Sequence, residues 1–122
     1  MSDERQEAAQ AQASARRQRA RQAPVLKETE KAFQAVVITL AKMYHWRVYH
    51  TWLSVRSSPG FPDLICTKPG EPVLYIEVKR DTGELTAAQG AWLAALEQAK
   101  GTEVHVWRPR DYDRILQRLQ GG

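Results

Sequence analysis

The chain has 122 residues, of which 43% are hydrophobic and 26% charged, and this size and composition predict a single domain with one core. No apolar stretch reaches the ~18 to 20 residues of a membrane span, and a lone cysteine, Cys66, excludes an internal disulfide, so we expect a reducing, cytoplasmic setting. The formal net charge of +4 suits a polyanionic partner such as nucleic acid.

Residues 1–24 differ in composition from the rest of the chain, because they are rich in Ala, Gln and Arg and contain no aromatic residue. They cannot supply an apolar stripe to a core, although their composition favours helix locally. Two interpretations stay open: a solvated arm, or a basic arm that contacts DNA phosphates. The globular domain is then expected over residues 25–122. The arginines that would contact phosphates are Arg16, Arg17, Arg19 and Arg21.

The first part of the domain has the pattern of a helix followed by a strand. Apolar side chains recur at three- and four-residue steps, which predicts an amphipathic helix over about residues 28–44. Residues 46–52 are β-branched and aromatic, which is typical of a strand. The buried stripe of the helix is expected to comprise Phe33, Val36, Val37, Leu40, Ala41 and Tyr44.

The second part continues with two short strands and then alternates helix, strand and helix, so the predicted order is αβββαβα. The buried stripe of the last helix is expected to comprise Tyr112, Ile115, Leu116 and Leu119. After the two short strands, the predicted elements are a helix over 86–99, a strand over 102–107 and a helix over 111–119.

The most informative pattern is a pair of apolar runs, Leu64–Thr67 and Val73–Ile76, joined by a turn rich in Pro and Gly. If the runs pair as an antiparallel hairpin centred on Gly70, Asp63 lies directly opposite Glu77. Directly opposed Cβ atoms are about 4.5 to 5.5 Å apart. Two carboxylates at that separation repel unless a proton or a cation lies between them, and a divalent metal with oxygen ligands is the usual solution.

Lys79 lies two residues beyond Glu77 and therefore on the same face of the strand, while Ile76 and Val78 point towards the core. A carboxylate pair, a divalent metal and an ammonium group together can attack a phosphodiester. The pattern also has a purely structural interpretation, because Pro-Asp is common at turns and Glu-x-Lys is often a solvated ion pair. An acidic residue on the first helix, Glu30, and a basic, serine-rich upstream loop favour the metal site.

Six segments occur in an order and spacing that is similar to one family: Glu30–Gln34, Trp46–Thr51, Gly60–Leu64, Glu77–Lys79, Leu85–Leu93 and Val104–Pro109. Together they resemble the VRR-NUC nucleases, a branch of the PD-(D/E)XK superfamily that includes stand-alone phage and bacterial proteins. The resemblance covers about residues 28–119. It implies an α/β fold with a restriction-endonuclease-like αβββαβ core, in which helices flank a central mixed β-sheet.

The resemblance also implies an activity, which is metal-dependent endonucleolytic cleavage of DNA. By resemblance to the stand-alone members, we expect a homodimer that cuts Holliday junctions or other branched DNA. Such cleavage occurs in replication, repair or recombination. Two alternatives remain: a nonspecific or nicking restriction-type nuclease, and a DNA-binding module without catalysis. Three residues of the pattern, Asp63, Glu77 and Lys79, argue against the second alternative, because a protein that only binds gains nothing from carboxylates that face phosphates.

Carried over residue by residue, the resemblance makes Asp63 and Glu77 the metal-binding carboxylates and the backbone carbonyl of Val78 a third oxygen ligand. Lys79 would orient or deprotonate the attacking water and offset charge in the transition state. An oxygen-rich set of this kind suits Mg²⁺, with Mn²⁺ as a substitute. Zinc is not expected, since the three histidines and one cysteine show no ligand spacing.

Two further polar positions have competing interpretations. Glu30 matches the upstream acidic residue of the family, which binds metal directly or through water, and Glu28 is its rival for that role. Gln89 matches an active-site polar residue of the family. However, Thr86-x-x-Gln89 is also a capping box, in which the Gln side chain bonds back to the N-cap amide.

Contacts with the DNA backbone are expected from the loop before the hairpin and from the end of the first strand. Arg56, Ser57 and Ser58 are phosphate donors if the loop faces the substrate, although such loops are often only solvated. His50 either contacts phosphate or is a partly buried strand histidine. The tryptophans Trp92 and Trp107 are expected to pack in the core and not to stack on bases.

Overall fold

The structure is a computed structural model, and it describes residues 6–7, 9–10, 29–52 and 57–121. Residues 6–7 and 9–10 are helical. No helix among these described residues combines the length and apolarity that crossing a bilayer requires. The remaining elements, in chain order, are α1 (Glu30–Met43), β1 (Arg47–His50), β2 (Leu64–Thr67), β3 (Val73–Val78), α2 (Ala87–Glu97), β4 (Thr102–Trp107) and α3 (Tyr112–Leu119), with a 3-10 turn at Pro109–Asp111.

The four strands form one mixed sheet in the order β1-β2-β3-β4. β1 pairs with β2 and β2 with β3 in antiparallel fashion, whereas β3 and β4 are parallel. A parallel pair needs a crossover connection, and α2 supplies it by returning the chain to the starting end of β3. The fold is therefore the predicted α/β architecture, a mixed sheet flanked by helices, as in restriction-endonuclease-like cores.

The hairpin of β2 and β3 has the predicted register, with Leu64 opposite Ile76. Its turn contains Gly70 at a φ of 81°, a left-handed conformation that glycine adopts without a steric penalty. The strand period of two then fixes which side chains share a face. Continued by one residue beyond the paired segment, the same register brings Asp63 opposite Glu77.

The main core lies between one face of the sheet and the helices α1 and α3. The indole N–H of Trp46 donates to the Leu119 carbonyl at 2.9 Å, which ties the end of α3 to the start of β1. Burial raises the pKa of the Cys66 thiol to about 12, so this cysteine is a packing residue, as predicted. The core residues are Phe33, Val37, Leu40, Ala41, Trp46, Leu64, Cys66, Leu74, Ile76, Val78, Trp107, Ile115 and Leu119.

Two residues of the predicted helix stripes are not buried, and their assignment to the core was wrong. Val36 and Tyr112 are each 43% exposed. Each residue of a helix turns about 100° from its neighbour, so Val36 lies at the edge of the face that is centred on Val37. Both exposed side chains border a groove of about 470 Å³ between α1 and the 3-10 turn.

The opposite face of the sheet is covered by α2. The ring of Trp92 on α2 packs edge-on against Phe61 with centroids 5.0 Å apart, and Phe61 in turn contacts Tyr75 of β3. Leu93 is the buried apolar residue of this helix. Trp92 and Trp107 are packing residues, as predicted, because the first lies in this aromatic cluster and the second in the main core.

Candidate active site

Asp63 lies at the bend that leads into β2, and hydrogen bonds hold both its backbone and its side chain. Its carbonyl accepts from the Thr51 N–H at 2.8 Å, which continues the ladder between β1 and β2. Its carboxylate oxygen Oδ2 accepts from the Val78 N–H, also at 2.8 Å. The carboxylate is therefore fixed against the end of β3, where the predicted partner residues lie.

Gly60 allows the loop before Asp63 to pack closely against α2. Its φ is 89°, and a Cβ added at this position would lie 2.5 Å from the backbone carbonyl carbon of Ala88. That separation is far below a normal contact, so any larger residue would push the loop away from the first turn of α2. Glycine at this position thus brings the Pro62-Asp63 segment next to the start of α2.

Glu77 is the most unusual polar residue of the described structure. It is only 2% exposed, and its Oε2 atom is buried with no hydrogen-bond partner among the described residues. Burial raises the pKa of Glu77 to about 9, helped by the hydrogen bond that a proton shared with Asp63 would form and by the charge of Asp63, and Lys79 offsets only part of this shift. Without a cation, the carboxylate pair therefore holds a proton at neutral pH.

Lys79 is also buried, on the same face of the sheet as Glu77. Its backbone N–H donates to the Trp107 carbonyl at 3.0 Å, which anchors the position just beyond the end of β3 to β4. Its ammonium group forms no salt bridge with any acidic residue in the part of the chain that the structure describes. The group acts on Glu77 through its charge, because it lowers the pKa of that carboxyl.

Gln89 makes one contact that fits the capping-box interpretation and another, not predicted, with a residue of the candidate site. The predicted capping box is present, since the Gln89 N–H donates to Thr86 Oγ1 at 3.1 Å and the Thr86 N–H donates to Gln89 Oε1 at 2.9 Å. The side-chain nitrogen Nε2 of Gln89 donates to Glu77 Oε1 at 3.3 Å. One amide group thus caps α2 with its oxygen and holds Glu77 with its nitrogen.

An open cleft of about 530 Å³ is lined by Asp63 of the carboxylate pair, whereas the buried Glu77 and Lys79 do not line it. Asp63 and Val78 line it on the hairpin side, and Glu30 lines it at the first residue of α1. Glu30 is close enough to contribute to the raised pKa of Glu77, as the weakest of its causes. Within the described ranges, no three residues among His, Cys, Asp and Glu lie close enough together to ligate a metal directly.

The donor atoms nevertheless fit a hard divalent cation. The two paired carboxylates present only oxygen atoms, and one of these oxygens, Glu77 Oε2, is buried without a partner among the described residues. A cation between the carboxylates would satisfy that atom and offset both causes that raise the pKa of Glu77, namely its burial and the neighbouring Asp63 carboxylate. Mg²⁺ is commonly bound by one or two protein carboxylates, while water or substrate oxygens fill its other coordination positions.

Two cleft residues, Gln34 and Thr51, were missed by the sequence analysis. Gln34 is buried on α1, one turn after Glu30, so the i, i+4 spacing of two polar residues was an available signal. Thr51 has a buried hydroxyl without a partner in the described part of the chain. Thr51 ends one of the segments that resemble the family, but nothing in the sequence indicated that its side chain lines the cleft, which depends on the pairing of its N–H with Asp63.

The candidate DNA-contacting residues are only partly brought to this cleft. His50 lines it, and its ring centroid lies 5.0 Å from that of Trp52. Ser57 and Ser58 are exposed on the loop before the hairpin but do not line the cleft. The remaining candidates lie outside the described residues: Glu28, Arg56, Arg16, Arg17, Arg19 and Arg21.

The mixed sheet and its flanking helices are consistent with a restriction-endonuclease-like core. The VRR-NUC domain profile matches residues 3–111, which is most of the chain, so the chain belongs to the VRR-NUC family and is a nuclease. Searches of curated proteins and of solved structures gave no match. The profile match begins at residue 3 and therefore includes most of the Ala/Gln/Arg-rich segment, where the pattern of six segments carried nothing over.

Proposed function

We propose that this nuclease is a Mg²⁺-dependent DNA endonuclease in which Asp63 and Glu77 bind the metal. The observation that carries the proposal is the buried, unpartnered Oε2 of Glu77 beside a second carboxylate. A buried acceptor without a partner and a like-charged neighbour both cost free energy, and a cation offsets both costs. A set of oxygen donors favours Mg²⁺, with Mn²⁺ as a substitute.

The residues around the metal position have distinct roles in this proposal. When bound, the metal polarises the phosphodiester and lowers the pKa of a water molecule. The Val78 N–H orients Asp63 and Gln89 orients Glu77. The Val78 carbonyl would provide a third oxygen ligand. Glu30, across the cleft, acts through water, since it forms no three-residue cluster with the pair.

Lys79 is the proposed catalytic cation. It lies on the face of Glu77, and its ammonium group forms no ion pair with an acidic residue in the described structure, so its charge is available to the reaction. Held there, the ammonium orients the attacking water and offsets the negative charge that develops on the phosphate in the transition state. Burial strengthens both effects, because water screens the charge less.

The substrate is proposed to be branched DNA, such as a Holliday junction, and the protein to act as a homodimer in replication, repair or recombination. A chain of this size carries one carboxylate pair, whereas resolution of a four-way junction needs two symmetric cuts. A two-fold dimer provides both sites without another domain. Arg56, Ser57, Ser58 and His50 would contact the phosphates near the cut, and the N-terminal arginines would contact phosphates further away.

A cleavage assay with purified protein tests both parts of the proposal. The substrates are linear duplex, single strand, flap and four-way junction, each with Mg²⁺ or with EDTA. We expect cutting only with Mg²⁺ and fastest on branched DNA. Cleavage in EDTA would refute metal dependence. Equal cutting of all four substrates by a protein that is monomeric in light scattering would favour a nonspecific or nicking nuclease.

A further inference from the structure

One tryptophan differs from the other three in its exposure. Trp52 is 75% exposed, whereas Trp46 and Trp107 are buried in the main core and Trp92 packs against Phe61. Folding therefore gains little from the indole of Trp52, although this is the largest apolar side chain available. Single exposed apolar side chains are common on protein surfaces, so the position of Trp52 and its neighbours decide whether it belongs to a binding surface.

The position of Trp52 relates it to the active site. It lines the same cleft as Asp63 and Glu30, directly after Thr51, whose N–H is bonded to the Asp63 carbonyl. Its ring is supported from one side by His50, with centroids 5.0 Å apart and planes inclined by 35°. One face of the indole thus rests on a half-buried residue at the end of β1, and the side chain as a whole remains largely open to solvent.

We infer that Trp52, supported by His50, is a stacking platform for an unpaired base next to the phosphate that is cut. Aromatic rings stack on bases of any sequence because every base has a π-face. In an intact duplex both faces of a base are covered by neighbouring pairs, so the indole can stack only on a base that is unpaired, displaced or terminal. The platform would select DNA that is open at the cleavage position, whatever its sequence.

This inference rests on the proposed function, since it names how that cleft would recognise branched DNA. It also gives a physical cause for the preference, because a branch point presents unpaired or weakly stacked bases beside an ordinary backbone. The carboxylate pair recognises the phosphate through its cation and has no means of distinguishing paired from unpaired DNA. Trp52 would supply that distinction.

Binding measurements on two oligonucleotides test the inference. One is a fully paired duplex with closed ends, and the other is the same duplex with a short single-stranded branch. Fluorescence anisotropy in EDTA excludes cleavage. We expect Trp52→Ala to weaken binding of the branched DNA about 10-fold and to leave duplex binding unchanged. Trp52→Phe should restore most of the loss, because it retains an aromatic face.

Tyr49→Ala is the matched control. Tyr49 is also an exposed aromatic residue, at 61%, on the same strand, but it does not line the cleft. We expect this variant to bind both DNAs like the wild type. A fluorescent 2-aminopurine at the branch should be quenched by the wild-type protein and by Trp52→Phe, but not by Trp52→Ala. Because both side chains are exposed, thermal melting should be unchanged in all variants.

The outcomes separate this inference from the proposed function. Equal weakening of duplex and branched DNA by Trp52→Ala, or no weakening of either, would refute the platform. Loss of a dimer in light scattering, with equal loss of binding to both DNAs, would also refute it and would assign Trp52 to a subunit contact. A protein that quenches 2-aminopurine but cuts no DNA with Mg²⁺ would refute the proposed function and retain the platform.

Discussion

Two glutamates on the neighbouring parallel strands β3 and β4 have opposite electrostatic surroundings. Glu103 accepts hydrogen bonds from Arg118 and lies against His105, and these contacts outweigh its partial burial and lower its pKa. Arg118 also donates to Glu71 at 2.9 Å, and its pKa is raised in return. Glu77 is more deeply buried, faces a like charge, and has its pKa raised to about 9.

The difference indicates which of the two clusters is structural. The cluster of Glu103, Arg118, Glu71 and His105 satisfies its charges internally, and Arg118 also lies over the Trp46 ring, 5.4 Å from its centroid. It holds α3 against the sheet, and its charged groups are paired with one another without a bound ion. The Glu77 pair is incomplete within the described structure, and a strongly perturbed, uncompensated carboxyl beside a cleft is typical of a functional site.

Removing one carboxylate from each cluster should have the most unequal effects on cleavage. Asp63→Ala and Glu77→Gln should each reduce Mg²⁺-supported cleavage about 10³-fold or more, because each removes a proposed metal ligand. Glu103→Gln should leave the rate within about twofold and cost only stability. Single-turnover cleavage rates test this. Rates near that of the wild type in both Asp63→Ala and Glu77→Gln would refute the assignment of the site.

A second prediction separates chemistry from scaffold within the site. Lys79→Met should lower turnover by about 10²-fold or more with little change in the thermal midpoint, since the ammonium group is proposed to act in the reaction. Gln89→Ala should also lower stability, by about 0.5 to 2 kcal/mol, because it removes the capping box of α2. Thermal melts and cleavage rates of both variants provide the test. An equal loss of stability in the two variants would contradict this division of roles.

The pH dependence of stability should have opposite signs in the two clusters. Since the pKa of Glu77 rises from 4.5 to about 9 on folding, its contribution to the stability of the metal-free protein is full below pH 4.5 and is lost as the pH rises towards 9. Glu103, with a lowered pKa, contributes stability above its unfolded pKa of 4.5 and loses it as the pH falls.

Urea unfolding in EDTA between pH 3 and pH 9 measures both effects, because this range extends below the unfolded pKa of Glu103 and up to the raised pKa of Glu77. Glu77→Gln should be more stable than the wild type at the alkaline end, by about 1 to 3 kcal/mol, and should approach it at pH 5. Glu103→Gln should be less stable than the wild type, most clearly at high pH. Parallel stability curves for wild type and Glu77→Gln would show that Glu77 ionises normally.

The smallest predicted effect lies outside both clusters. Deletion of residues 1–24 should weaken DNA binding and flatten its dependence on salt, because each phosphate that an arginine neutralises adds to the slope. Affinity measured at several salt concentrations tests this, with replacement of Arg16, Arg17, Arg19 and Arg21 by glutamine as the matched variant. An unchanged slope would make the segment a solvated tail.

Local patterns were sufficient to predict the elements that position the site. The register of the hairpin follows from strand periodicity and the turn at Gly70, and the capping box at Thr86 follows from a four-residue motif. The strand over 46–52 was predicted too long, since β1 ends at His50. Beyond His50, the hydrogen bond from the Thr51 N–H to the Asp63 carbonyl continues the ladder between β1 and the hairpin.

Features that depend on packing between distant segments could not be predicted. The burial of Glu77 and Lys79 follows from the way α2 covers their face, which depends on the close approach of Gly60 to Ala88. Neither position is distinguishable from a solvated Glu-x-Lys pair in sequence alone. The exposure of Val36 has the same origin, because it depends on how α1 is rotated about its own axis relative to the sheet.

The central claim is that Asp63 and Glu77 form a cation site, and calorimetric titration of the metal tests it most directly. At pH 7, Mn²⁺ or Mg²⁺ titrated into the wild-type protein without DNA should bind and displace about one proton, the proton that the raised pKa of Glu77 retains. Glu103→Gln should give the same isotherm, whereas Asp63→Ala and Glu77→Gln should each bind the cation at least about tenfold more weakly. Glu77→Gln should also displace no proton, because it lacks the carboxyl that retains it. Unchanged cation affinity and proton release in those two variants would contradict the claim.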